Sequence, residues 1–339
     1  MANSKRPRVK PTSDIRLLIS GALALCVLLF ALCSPAVAEQ PKKTPRIGYL
    51  TVGASPPFQK IIEGLRDLGY VEGQNISMIY RSADGKRDRV PALAAELVRL
   101  KVDIIVADGA TPTLDARKAT ETIPIVMVSS SDPIGAGLVA SLAQPGGNVT
   151  GLSSISGELG GKLLELLKEV APRLSRVAIP MPLATPINEL FIKETDQPAR
   201  ALGVQMVPIV VRGSNEFESA LKGIVKQRAN GIVSRLGPSF PPAQHRQLAA
   251  FAAKHHLPAI STDRDWVDSG GLIFYGPDQT VRAQRVAVYI DKILRGAKPA
   301  ELPIETPMKF ELVFNLKTAK QTGVTIPPNV LVRADRVIK

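Results

Sequence analysis

Val102-Asp103-Ile104-Ile105-Val106-Ala107 and, further along, Ile123-Pro124-Ile125-Val126-Met127-Val128 decide the fold class. Both runs are short, and their strand cores are apolar throughout, so neither offers a polar face to water. Strands of this kind, set between helical stretches, belong to a parallel sheet covered on both faces. Working outward, Arg46-Ile47-Gly48-Tyr49-Leu50 and Asn75 to Tyr80 read as further strands. Phe58 to Leu68 and Val90 to Leu100 carry helical spacing, and Gly69 stops the first of them as a C-terminal glycine does.

The second half repeats the order. Arg176-Val177-Ala178-Ile179 answers Arg46-Ile47-Gly48-Tyr49, and Leu202-Gly203 answers Leu68-Gly69. Asn230-Gly231-Ile232-Val233 answers Asp103-Ile104-Ile105-Val106, and Leu257-Pro258-Ala259-Ile260 answers Ile123-Pro124-Ile125-Val126. Each proline falls at a strand start, where its missing N–H costs little. Asp103 and Asn230 are expected to close the turn before a buried strand. Four matches in one order predict an α/β chain of two doubly wound, Rossmann-like lobes.

Three segments are expected to join the lobes. Asn148-Val149-Thr150-Gly151 follows the first lobe, and Gly271-Leu272-Ile273-Phe274-Tyr275-Gly276 follows the second. After a helix over Thr280 to Leu294, Phe310 to Phe314 is again strand-like. This places the first lobe at 39–150 plus 277–308 and the second at 151–276 plus 309–339, with a three-segment hinge near Gly151, Gly276 and Lys309.

Residues 1–38 read as a cleavable signal peptide. Lys5, Arg6, Arg8, Lys10 and Arg16 precede an uncharged apolar run from Leu17 to Leu32, and Ala36-Val37-Ala38 has the small-x-small cleavage pattern. The run is short of the ~20 residues that span a bilayer. Cys26 and Cys33, the only cysteines, lie inside it and follow Leu25 and Leu32 rather than the small residue a lipid anchor needs. A chain starting at Glu39 has no cysteine for a disulfide, a thiolate metal site or a nucleophile. Losing five basic residues and Asp14 leaves 38 basic against 29 acidic residues, a net charge of +9. The basic residues are scattered and not interleaved with aromatics, and an exported chain does not meet nucleic acid, so no nucleic-acid partner is expected.

In doubly wound sheets ligands bind beyond the carboxyl ends of the strands. The expected lining is therefore Thr51 to Phe58, Asp108 to Thr113 and Ser129 to Pro133 from one lobe. From the other it is Pro180 to Thr185, Arg235 to Phe240 and Ser261 to Trp266. Helix starts in these loops offer free N–H groups to a carboxylate. Thr111 and Ser129 offer hydroxyls, Asp132 an acceptor for an ammonium group, and Arg235 a cation for an anionic ligand. Asp263 and Tyr275 complete the candidate ligand-binding set. Thr111, Ser129 and Asp132 serve equally well as helix caps, and Arg264 as a cation for the ligand or a surface group. Trp266, the single tryptophan, either stacks on a ligand or packs beneath the hinge.

Several chemistries are missing. Gly135-Ala136-Gly137-Leu138-Val139-Ala140 fits a dinucleotide fingerprint in letters only. It follows the fourth strand of its lobe rather than the first, and Pro145-Gly146-Gly147 breaks the required helix. His245, His255 and His256 lack metal-ligand spacing, and there is no nucleophile elbow or phosphate loop. No metal, cofactor or catalytic set is expected.

The chain resembles the substrate-binding proteins of ABC transporters, in the group that includes tryptophan and tyrosine binders. The resemblance rests on Gly64 to Asn75 (GLRDLGYVEGQN), Val102 to Ala107, Ser131 to Val139 (SDPIGAGLV), Pro145 to Gly151 (PGGNVTG) and Lys309 to Lys317 (KFELVFNLK). It implies a type I periplasmic binding protein fold with three crossovers, binding of a small, amino-acid-like molecule without catalysis, no cofactor, a periplasmic location and an ABC permease as partner. It also implies that Thr111-Pro112 and Asp132-Pro133 face the ligand. A ligand-presenting sensory subunit and an exported α/β enzyme are the alternatives. The chain departs from the family pattern at Pro180-Met181-Pro182-Leu183, where relatives often carry Asn-Pro. It departs again at Leu236-Gly237-Pro238-Ser239, where they carry an Asp-containing loop, and in the first loop, which lacks their acidic residue. The resemblance therefore carries the fold and leaves the ligand open.

Overall fold

The computed structural model describes residues 44–53, 57–130, 132–154, 157–182, 186–237, 240–307 and 309–339. The signal-peptide and Glu39 readings lie outside these residues, as do Ser131 and Thr185. The first sheet is built from β1 (Arg46–Thr51), β2 (Ser77–Ser82), β3 (Ile104–Asp108), β4 (Ile125–Met127) and β5 (Val149–Gly151). All are parallel, in the order β2-β1-β3-β4-β5. Helices α1 (Pro57–Asp67), α2 (Val90–Arg99) and α3 (Ala110–Ala119) connect them.

The second sheet repeats this winding. After α4 (Gly157–Val170) come β6 (Arg176–Pro182), α5 (Pro186–Ala201), β7 (Gln205–Val211), α6 (Phe217–Lys226), β8 (Gly231–Ser234) and α7 (Pro242–Lys254). Then follow β9 (Ala259–Ser261), the short α8 (Asp265–Asp268) and β10 (Ile273–Pro277). The order β7-β6-β8-β9-β10 copies the first sheet strand for strand. Helix α9 (Gln279–Leu294) then returns to the first sheet. The chain comes back as β11 (Phe310–Asn315), antiparallel to β10, followed by α10 (Leu316–Thr322), α11 (Pro328–Leu331) and β12 (Arg336–Ile338). Each sheet with its covering helices forms a lobe.

The duplicated letters have duplicated physical causes. Arg46 N donates to Asp103 Oδ2 at 2.8 Å, and Arg176 N donates to Asn230 Oδ1 at 2.9 Å. Asp103 and Asn230, the polar residues before the two buried strands, each clamp the start of their lobe's first strand. The prolines answer each other too. Ile105 N bonds Pro124 O at 2.9 Å, and Ile232 N bonds Pro258 O at 3.0 Å, so each proline lacks a donor but serves as an acceptor. Gly69 and Gly203 adopt φ +88° and +63° at the two helix ends, a left-handed conformation that favours glycine.

Both sheets are covered on both faces. Ile61 and Leu65 of α1 and Ala283, Val286, Ala287 and Ile290 of α9 cover one face of the first sheet, and Val90, Ala94 and Leu97 of α2 the other. In the second lobe Leu163, Leu167 and Phe191 of α4 and α5 lie on one face, and Phe217, Leu248 and Trp266 on the opposite one. Trp266 is fully buried, so the packing alternative holds for it.

Three crossovers connect the lobes, and the third lies between the other two. Glu305 N donates to Gly151 O at 3.0 Å and Ser153 N to Glu305 O at 2.8 Å. Asp278 N donates to Lys309 O at 3.0 Å. Two ion pairs reinforce them: Arg285 Nε to Glu305 Oε2 at 2.8 Å, and Lys309 Nζ to Asp278 Oδ2 at 3.0 Å. The Arg285 hydrogen bond holds the Glu305 carboxyl below its ordinary pKa, against an opposing effect of burial. A carboxylate with a lower pKa folded than unfolded stabilises the fold above its unfolded value and stops doing so as pH falls through its folded value. Glu305→Gln should therefore cost stability at neutral pH. The cost is ~0.5 kcal/mol, because both partners keep more than a third of their side-chain exposure and water screens the pair. Urea titrations at falling pH should show the variant and the parent converging. A gap that widens in acid would contradict this.

Candidate functional site

For a sheet wound 2-1-3-4-5, the crevice opens between the first and third strands, beyond their carboxyl ends. In the first lobe that point lies between β1 and β3, and in the second between β6 and β8. The residues found there are Asp108, at the end of β3, and Arg235, directly after β8. Tyr49 of β1 donates its hydroxyl to Asp108 Oδ2 at 3.2 Å. Tyr49 also anchors an aromatic trio: its ring stacks on Tyr80 at 5.7 Å and meets Phe58 edge-on at 4.9 Å.

Arg235 is the unusual group. Its backbone N bonds Pro180 O, and its guanidinium lies 4.0 Å over the Phe191 ring. No carboxylate among the described residues pairs with it. It keeps partial solvent access, yet burial lowers its pKa to about 10. A desolvated cation without a counter-ion is costly unless something supplies the missing charge.

A second guanidinium, Arg282 on α9, sits between acids of the two lobes. Burial, the largest influence, lowers its pKa; the charges of Asp108 and Asp263, one from each lobe, act against this. Asp263 lies after β9. Its Oδ1 accepts from Asp265 N at 3.1 Å, and its Oδ2 is 3.7 Å from Nε2 of the buried His245. Arg282 thus feels the charge of two carboxylates, though no hydrogen bond or ion pair joins it to either among the described residues, and Arg235 feels none.

The remaining candidates divide. Thr111 is half-buried in the first turn of α3, where the capping position belongs to Gly109 rather than to Thr111. Ser129 is half-buried just past β4, beside Ser130, whose buried Oγ lacks a partner among the described residues. Asp132 caps a turn, its Oδ1 accepting from Gly135 N at 2.7 Å. Asp263 likewise accepts from a backbone N–H two residues on, that of Asp265, while the capping position of α8 belongs to Arg264. Tyr275 stands apart from these groups. Alternation along β10 puts Phe274 on the Trp266 face and Tyr275 on the opposite one, stacked on Phe310 at 5.4 Å. Arg264 is engaged by Asp268 and Glu311, both at 3.4 Å. Two boundaries shift: β6 continues through Pro180 and Pro182, read as a loop, and Val149–Gly151, read as a linker, is the fifth strand of the first sheet.

Sequence reading placed Asp108 in a lining loop without a role of its own, weighed His245 only as a metal ligand, and did not single out Tyr49 or Arg282. Asp108 carried a signal, as the polar residue ending an apolar strand. Arg282 carried none, because its neighbours are far away in the chain. Among the described residues no group of three or more His, Cys, Asp or Glu is arranged to hold a metal, and no helix is long and apolar enough to cross a membrane.

Two doubly wound lobes that share the order of five strands, joined by three crossovers, with Asp108 and Arg235 at their switch points, define a type I periplasmic binding protein fold. The chain belongs to the ABC transporter substrate binding protein family, whose model matches residues 56–338. It is 25% identical over 331 residues to the tyrosine-binding protein of Clostridioides difficile (strain R20291), covering 92% of each chain. The crystal structure of a conserved domain protein from Vibrio cholerae superposes with a TM-score of 0.81 at 27% identity, covering 87% of this chain and all of that one. An ABC domain from Streptococcus pneumonia in complex with L-Trp gives 0.79 at 25% identity, with the same coverage.

Proposed function

We propose that this chain captures a small carboxylate-bearing molecule, an amino acid or a close relative of one, between its lobes and delivers it to the permease of an ABC importer outside the cytoplasm. Arg235 carries the reading: a cation at the second lobe's switch point, desolvated and without a counter-ion among the described residues, is completed by an anionic ligand. Asp108 or Asp263 then meets an ammonium group, and the Phe58 and Tyr80 rings, backed by the buried Tyr49, offer an apolar surface to a side chain. The relatives that bind tyrosine and L-Trp support an amino acid. Binding is read as occurring without turnover, with the lobes at 39–150 plus 277–308 and 151–276 plus 309–339 closing at the crossovers.

The test is recovery and titration. The ligand that co-purifies, released by denaturation and weighed by mass spectrometry, should emerge unchanged. In calorimetry, amino acids should bind at least about tenfold (~1.4 kcal/mol) more tightly than their decarboxylated amines or simple sugars. The radius of gyration should fall on saturation. An amine or sugar that binds best, or a ligand recovered as a reaction product, would refute the reading.

A further inference from the structure

We infer that the hinge holds a second binding site, for a small, mainly apolar molecule carrying one anionic group, and that its occupant biases the angle between the lobes. A cavity of about 400 Å³ lies among the crossovers, within the size range of small-molecule pockets. Leu152 enters its wall from the first crossover, Pro277 from the second and Pro307 from the third, with Val281 and Arg282 from α9.

Two features of this wall point to an occupant. Asp278, Val281, Arg282 and Arg285 form one stripe along the start of α9, at the three- and four-residue spacing of a single helix face. The other face of α9, with Ala283, Val286, Ala287 and Ile290, is fixed in the first lobe's core. The cavity is therefore bounded by a rigid helix on one side and by the three segments that must bend on the other. The charges also divide. Arg285 is paired with Glu305 and Lys309 with Asp278, so these four make no demand on a ligand. Arg282 does: its Nε is buried without an acceptor among the described residues, and its one side-chain hydrogen bond runs to Gln279. Leu152, Pro277, Val281 and Pro307 give the wall its apolar part, and beside them a guanidinium with an unaccepted Nε–H favours an apolar body with a single acceptor, best an anion.

Bending the hinge moves all three crossover walls against α9, so an occupant fits one interlobe angle better than others. Its differential affinity shifts the equilibrium toward that angle, and the same factor changes the affinity of the cleft. The site does not depend on Arg235, and its test can be run without it.

Benzoate is the probe, with benzylamine as the cationic control, titrated calorimetrically into the parent and into Arg235→Ala, which lacks the cleft cation. Benzoate should bind Arg235→Ala with at least one site, about tenfold more weakly when Arg282→Gln is added, and not at all when Val281→Trp fills the cavity. Leu152→Trp fills it from the other side should Val281→Trp fail to fold. No benzoate binding by Arg235→Ala, binding that survives both tryptophan variants, or equal binding of benzylamine would overturn the site. The angle is read from spin labels at Lys118→Cys and Lys226→Cys, in a chain with no cysteine after Cys33. Benzoate should narrow the distance distribution in the Arg235→Ala background; an unchanged distribution would overturn the coupling.

Discussion

Gly151→Ala is expected to destabilise the protein by ~3–5 kcal/mol, the largest effect of any single-methyl addition considered. Gly151 ends β5 with φ +123°, a conformation that L side chains rarely adopt. Such backbone strain alone costs ~1–3 kcal/mol. A Cβ there would lie 2.3 Å from Met127 O and 2.7 Å from Met127 N. These are backbone atoms of the paired strand β4, so no rotamer relieves the clash. Relief requires β5 to part from β4, although Leu152 N also donates to Met127 O at 2.9 Å; overpacking of this kind adds ~1–3 kcal/mol. Gly147→Ala is the control, because nothing lies within 4 Å of its Cβ position. Urea unfolding followed by circular dichroism should show a large loss in the first variant and almost none in the second. Equal midpoints would mean that the strand edge accommodates a side chain freely.

The second large effect is on binding. Arg235→Ala should lower affinity for a carboxylate ligand by ~2–4 kcal/mol, roughly thirty- to seven-hundredfold, as when one member of a buried charge pair is removed. The ligand-free protein should behave differently. Burial lowers the Arg235 pKa to about 10, so at every pH below that value the folded state holds the charged form less well than the unfolded chain does. Alanine removes that cost together with the contact to the Phe191 ring, whose worth is ~0.5–2 kcal/mol. The two oppose each other, and unfolding midpoints should move little. Trp266, single and buried in the same lobe, reports the transition by fluorescence. Arg235→Lys keeps charge but loses the planar fork and should fall between alanine and the parent. Undiminished affinity in Arg235→Ala, or a stability loss as large as that of Gly151→Ala, would make Arg235 a packing residue.

The winding was legible because its determinants are local. Apolar runs, a glycine after each helix and a proline before a buried strand recur in both halves, and the order of strands follows from them. The clamp partners were not legible: Asp103 and Asn230 stood out as polar residues before strands, but their donors, Arg46 N and Arg176 N, lie more than fifty residues earlier. Pro180 and Pro182 misled in the opposite sense. They read as a loop, yet β6 runs through them; Pro180 gives its carbonyl to Arg235 N and lacks only a donor. The candidate site was legible in part. Positions after strands marked Arg235 and Asp263, whereas Tyr275 failed because a neighbour in sequence along a strand faces the other side of the sheet. Arg282 shows the limit, since its meaning depends on two carboxylates that only the folded chain brings near. The C-terminal α10, α11 and β12 are short and gave no periodic signal.

The return of α9 to the first sheet has a consequence for biogenesis. The first sheet is complete once Gly151 has been made, but one of its faces is covered only by α1 until Ala283, Val286, Ala287 and Ile290 follow, more than a hundred residues later. The second sheet waits longer, since β11 and β12 supply its far edge from the last thirty residues. Neither half is therefore a self-sufficient folding unit during synthesis. The chain emerges as a long intermediate with a partly open apolar face and an unfinished sheet edge, the condition in which a polypeptide depends on a chaperone to stay unaggregated.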